Sequence, residues 1–105
     1  MSYLVHENAL YTTDVPELLT RFHETDPVVI VSPKHPDERE EIKDHCRTQG
    51  IPFAGLYTLN GRFTAPHLVA LVNNWKVHTL IGVEPAWRDY AEELKLNYID
   101  LGPNT

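Results

Sequence analysis

Cysteine is nearly absent from this chain: Cys46 is the only one in 105 residues. A single cysteine excludes an internal disulfide, and it excludes zinc and iron–sulfur sites built from several thiolates. Apolar runs are also short, since none approaches the roughly 18 residues that a membrane-spanning helix needs. The first residues show no basic segment followed by an apolar one, as a signal peptide would. These absences predict a reduced, cytoplasmic setting without a membrane partner.

Basic residues are scarce as well. Nine Lys and Arg stand against fifteen Asp and Glu, which gives a formal net charge of −6. Such a surface repels phosphate backbones, so we expect no nucleic-acid partner, while a basic protein would be attracted. With 42% hydrophobic and 23% charged residues the composition is that of a folded chain, and its length predicts one domain over residues 1–105.

The sequence motifs of nucleotide and metal sites are missing. No G-x-G-x-x-G follows a predicted strand, and no G-x-x-x-x-G-K-[ST] occurs. The six histidines are scattered singly, whereas a metal needs several ligands brought together. His45 and Cys46 are neighbours in a predicted helix, where adjacent side chains diverge by about 100°. The sequence therefore predicts no metal, no cofactor and no catalytic residue, and it favours a non-enzymatic protein without deciding the matter.

The strongest pattern present is an uninterrupted β-branched run at residues 28–31. Consecutive apolar residues indicate a strand covered on both faces, which is typical of a parallel sheet between helices. A charged helix at 37–49, a stop at Gly50 and a second strand at 51–57 complete a β-α-β unit. This alternation resembles that of small Rossmann-like domains, a resemblance of topology that brings no functional residue with it.

Helix and strand alternate through the rest of the chain. Asp14 and Glu17 have the spacing of a capping box at a helix start. Asn60-Gly61 favours a tight turn that would pair residues 56–59 with 62–64. The other predicted elements are one or two short strands within 3–12, helices beginning near 64 and 84, and strands at 77–83 and 98–101. The predicted class is α/β, a mostly parallel sheet of about four to five strands flanked by about four helices, with a hairpin at Asn60-Gly61.

Residues that leave the predicted strands are the candidates for a ligand site, because ligands of parallel sheets bind beyond the carboxyl ends of the strands. Lys34 would supply charge and Ser32 a hydroxyl to an anionic or small polar ligand. A structural role in turns is the competing interpretation for the same residue types. The full set of ligand-binding candidates is Ser32, Lys34, His35, Tyr57, Arg62 and Glu84.

Two functions follow as alternatives. The first is a small acidic interaction or regulatory protein that binds another protein, and that forms a homodimer if a sheet edge is left free. It rests on the net charge of −6 and on the lack of a catalytic constellation. The alternative is a binder of, or an enzyme acting on, an anionic or nucleotide-like small molecule at the strand ends. A cleft at the strand ends would favour this alternative.

Overall fold

The computed structural model describes residues 1–61 and 65–101. Its strands are β1 (Ser2–His6), β2 (Val28–Ser32), β3 (Gly55–Thr58), β4 (Val77–Gly82) and β5 (Asn97–Asp100). Its α-helices are α1 (Val15–Thr25), α2 (Arg39–Gln49), α3 (Ala65–Trp75) and α4 (Pro85–Glu93), and two 3₁₀ helices cover Glu7–Tyr11 and Pro36–Glu38. The strands form one all-parallel sheet in the order β3-β2-β1-β4-β5. The predicted Rossmann-like α/β architecture is confirmed.

Both faces of the sheet are covered by helices, as the apolar run at 28–31 predicts. Every residue of β2 is buried. Val28 and Ile30 pack with side chains of α1 and α2 on one face, while Val29 and Val31 pack with side chains of α3 and α4 on the other. Because successive strand side chains point to opposite faces, one strand contributes to two separate cores.

Helix α2 has the narrow apolar seam expected from its charge. Only Ile42 and Cys46 are buried along it. The helix ends at Gly50, whose φ of 71° lies in the left-handed region that glycine adopts without a steric penalty. None of the helices among the described residues is long and apolar enough to cross a bilayer.

The capping box predicted at Asp14 and Glu17 is wrong. Asp14 does occupy the N-cap position of α1, but its side chain makes no capping hydrogen bond. Reciprocal capping bonds occur instead at His35, which precedes the second 3₁₀ helix. Its Nδ1 accepts from the backbone N–H of Asp37 at 3.1 Å, and its own N–H donates to Glu38 at 3.2 Å. The spacing of Asp14 and Glu17 is compatible with a capping box, but it does not show that the box forms. The prediction did not include the capping at His35.

Two other segments differ from the predictions in detail. Residues 3–12 contain one strand only, because the chain turns into a 3₁₀ helix after His6 and returns Ala9 and Leu10 to the core. At Asn60 and Gly61 the described residues form no hairpin. The two N–H groups donate to carbonyls of the loop that follows β2, at 3.1 and 2.7 Å. The predicted second arm, residues 62–64, lies outside the described residues.

The strand order places a reversal of chain direction at the centre of the sheet. From β1 the chain moves outward to β2 and β3, and α3 then carries it back to β4 on the other side of β1. Ligands of open parallel sheets bind beyond the carboxyl ends of the strands at such a reversal. The end of β1 and its neighbours are therefore the place to look for a site.

Candidate functional site

A buried carboxylate lies at the end of the central strand. Glu7 directly follows β1, and its side chain is only 2% exposed. The hydroxyl of Ser32, the last residue of β2, donates to Glu7 Oε1 at 3.0 Å, and Lys34 Nζ lies 3.5 Å from the same oxygen. Burial, together with a hydrogen bond to Glu7, raises the pKa of Tyr11. Three side chains, from the first 3₁₀ helix, the end of β2 and the loop after it, thus compensate one buried charge, which would otherwise cost several kcal/mol.

Two of these partners border solvent. Tyr11 is 52% exposed, and Lys34 places its ammonium 5.9 Å from the centre of the Tyr11 ring, where a cation–π attraction contributes. Ser32 is buried, and its Oγ also accepts from the backbone N–H of Lys34 at 3.1 Å. Ser32 therefore fixes the loop that carries Lys34, while the side chains of Lys34 and Tyr11 are partly exposed.

A second group of polar side chains connects the end of β1 to the loop after β4. His6 is buried, and its Nδ1 accepts from the backbone N–H of Asn8 at 3.0 Å, so the neutral ring carries its proton on Nε2. Burial lowers the pKa of His6, while the carboxylates of Glu84 and Glu7 oppose that shift. The side-chain amide of Asn8 donates to Glu84 Oε1 at 2.8 Å. The His6 ring packs edge-on against Trp87, with 5.0 Å between the two ring centres. At neutral pH this imidazole is uncharged.

A groove of about 360 Å³ adjoins this arrangement at Tyr11. It runs along residues 12–15 to Leu18 of α1 and to Leu101, which directly follows β5. Tyr11 is the residue that the groove shares with the polar cluster, since it lines the groove and also interacts with Glu7. Concave space therefore exists at the carboxyl edge of the sheet.

The predicted candidates fall into three groups. Ser32 and Lys34 contact Glu7, and Glu84 contacts Asn8, so these three candidates belong to the arrangement at the carboxyl edge. The His35 ring is engaged with Asp37 in capping its own 3₁₀ helix. Tyr57 lies on β3, where its hydroxyl accepts a hydrogen bond from Trp75, and Arg62 lies outside the described residues.

The residues at the centre of the site were missed. Treating residues 3–12 as strands hid the true end of β1, which is His6. The sequence did contain a signal. The polar residues His6, Glu7 and Asn8 come directly after the apolar residues of β1, which is the kind of position by which the ligand-binding candidates were chosen. Within the described ranges, no group of three or more His, Cys, Asp or Glu side chains is arranged to hold a metal ion.

No family model matches the chain. No curated protein matches its sequence either. The geometry at the carboxyl edge of the sheet is therefore what bears on function.

Proposed function

We propose that the protein binds a small polar molecule at the carboxyl edge of its sheet, with Glu7, Tyr11, Ser32 and Lys34 as the contacting side chains. The observation that carries the proposal is the burial of the Glu7 carboxylate at the end of the central strand. Apolar residues of similar volume are often neutral or stabilising in place of a buried ion pair. A buried carboxylate at the end of a central strand is therefore a candidate for a functional role.

The charges around the site indicate the class of ligand. Glu7 and Glu84 contribute two carboxylates, and Lys34 is the cation that pairs with Glu7. A phosphate placed at the end of β1 would meet both carboxylates, whereas a hydroxyl or an ammonium group would be attracted. We therefore favour a hydroxyl- or amino-bearing ligand over the anionic ligand that Lys34 alone predicts.

A ligand can bind at Glu7 by taking the place of Lys34 beside the carboxylate. The distance from Lys34 Nζ to Glu7 Oε1 is 3.5 Å, which is long for a charge-assisted hydrogen bond, and the Lys34 side chain is 37% exposed. A ligand hydroxyl or ammonium can replace Lys34 at this oxygen while Ser32 keeps its bond.

A ligand screen on matched variants tests the proposal. Polyols, sugars, amino acids, polyamines, nucleosides and nucleotides are screened by thermal shift, and each hit is measured by calorimetry on the wild type, Glu7→Gln and Glu17→Gln. Glu17 is the control because it is an exposed carboxylate paired with Arg21 on α1. We expect a hydroxyl- or amino-bearing ligand whose affinity falls about tenfold or more in Glu7→Gln, since a hydrogen bond to a charged group is lost.

The location of binding is read independently by amide chemical shifts. The expected perturbations centre on residues 6–8, 11, 32–34 and 84. A ligand that binds Glu7→Gln as tightly as the wild type, or that perturbs only residues remote from these, contradicts the proposal.

A further inference from the structure

Strand β3 is an edge of the sheet. It pairs with β2 on one side, through Gly55 to Thr58, and no described strand pairs with its other side. The outer side of an edge strand presents N–H and C=O groups that a further strand can pair with. Proteins use such edges to bind extended peptides, with backbone bonds supplying affinity and side-chain pockets supplying specificity.

An aromatic pair lies against this edge. The Trp75 indole packs directly on Gly55, because a Cβ built at that glycine would lie 2.9 Å from Trp75 Cζ2. Trp75 Nε1 donates to the Tyr57 hydroxyl at 2.9 Å, and the two rings meet at 78°. These contacts hold both rings beside the strand before any partner arrives. Tyr57 is 36% exposed, so the pair is accessible.

A groove of about 470 Å³ runs beside the aromatic pair, and its single charged lining residue is Arg39. Within the described part of the chain, Arg39 makes no ion pair and no side-chain hydrogen bond. On the same helix, Arg47 pairs with Asp44. Arg39 is the first residue of α2, and the carboxylates of Glu40 and Glu41 follow it in the same turn. Among the residues that line the groove, Arg39 is therefore the charged group with which a carboxylate of a partner can pair.

We propose that the β3 edge binds an extended peptide segment of a partner protein, which adds as a sixth strand and places a carboxylate on Arg39 and an apolar side chain on the Tyr57–Trp75 pair. Arginine and large aromatic residues are the side chains that dominate binding energy at protein interfaces. A second copy of this chain fits less well. Pairing β3 with β3 would bring two Arg39 side chains together, and β3 itself carries no carboxylate that could pair with them.

Peptide selection with a charge swap tests this inference separately from the small-molecule site. A random peptide library displayed on phage is selected on the full-length wild type and on Arg39→Glu, with Arg47→Glu as the control of equal charge change on the same helix. We expect wild-type binders to carry Asp or Glu beside alternating β-branched or aromatic residues. Their affinity should be unchanged by Arg47→Glu and about tenfold or more weaker with Arg39→Glu. Selection on Arg39→Glu should enrich Lys or Arg instead.

Backbone pairing is checked with synthetic versions of a selected peptide. N-methylation at alternate residues removes the N–H groups that strand addition requires, so binding should be lost when the methylated face meets β3 and kept when it faces outward. The inference is overturned if no peptide is enriched, if enriched peptides show no acidic preference, if Arg39→Glu leaves binding unchanged, or if binding survives N-methylation of both faces of the peptide. A dimer in light scattering that Tyr57→Asp dissociates would also overturn it, since a second copy would then occupy the edge.

Discussion

The Ser32 hydroxyl donates a hydrogen bond of 3.0 Å to the Glu7 carboxylate across a chain separation of 25 residues. Parallel pairing makes this bond possible, because the register that aligns His6 with Val31 brings the residues after β1 beside the end of β2. Ser32 also accepts from the backbone of Lys34. One small hydroxyl therefore links the central strand to the loop that carries the cation of the site.

Removal of the buried carboxylate should destabilise the fold. Glu7→Ala leaves the Ser32 hydroxyl and the Lys34 ammonium without their acceptor and leaves a cavity, so we expect a loss of about 1–3 kcal/mol in the free energy of unfolding. Urea denaturation measures this loss. Glu17→Ala, which removes an exposed carboxylate, should cost less than about 1 kcal/mol. Equal losses in the two variants would contradict a structural dependence on Glu7.

Acidification should reduce stability through His6. Burial holds the pKa of His6 below its ordinary value of 6.5 in the folded state, so the unfolded chain binds a proton first as the pH falls. The contribution of neutral His6 to the free energy of unfolding is therefore complete above pH 6.5 and decreases as the pH falls below 6.5. Unfolding free energies in urea between about pH 7.5 and 5.5 should therefore fall less steeply for His6→Gln than for the wild type. His67→Gln, an exposed control on α3, should retain the wild-type slope.

The Glu84 carboxylate should be visible in the titration of the same ring. Glu84 raises the pKa of His6 against the larger effect of burial. In Glu84→Gln that opposing charge is absent, so the pKa of His6 should fall further. Titration of the imidazole resonances by NMR measures the shift. An unchanged or higher pKa would show that Glu84 does not act on His6.

Cys46 should report opening of the α2 seam. Burial, followed by the charge of Glu7, raises the pKa of this thiol from 9.0 to about 11. A rise of two pH units lowers the thiolate fraction about 100-fold at pH 8, and the thiolate is the reactive form. Labelling by a disulfide reagent should thus be slow in the native protein and fast in urea. Ile42→Ala, beside it on the seam, should accelerate native labelling, and a rapidly labelled wild type would contradict this burial.

The contact between Gly55 and Trp75 should be sensitive to a single methyl group. In Gly55→Ala the new Cβ would lie 2.9 Å from Trp75 Cζ2, so the indole must move away from the strand and weaken its bond to Tyr57. We expect red-shifted tryptophan emission. Gly50→Ala is the matched control, since its Cβ meets nothing within 4 Å and its φ of +71° adds only backbone strain, about 1–2 kcal/mol. An emission shift in the control alone would contradict the packing described.

Local patterns predicted the elements better than their ends. Consecutive apolar residues predicted the buried strand β2, and the density of charged residues predicted the polar surface of α2. The end of α2 at Gly50 follows from the freedom of glycine to adopt a positive φ. Of the one or two strands predicted within residues 3–12, one formed, and Ala9 to Tyr11 lie in a 3₁₀ helix, because apolar residues in a 3₁₀ helix and in a short strand look alike in sequence. The Asp14 cap failed for a similar reason, since capping spacing shows that a bond is compatible with the sequence and not that it forms.

The sequence by itself determined that this is a chain of alternating helices and strands, with the strand at residues 28–31 buried on both faces, because those properties depend on neighbours along the chain. Tertiary structure decided the strand order, and with it the meeting of Glu7 with Ser32 and of Asn8 with Glu84, which are 25 and 76 residues apart. Periodicity carries no information on which strands become neighbours. Strand pairing through β1 brings those loops to one edge of the sheet, and only there do separate polar residues become a site.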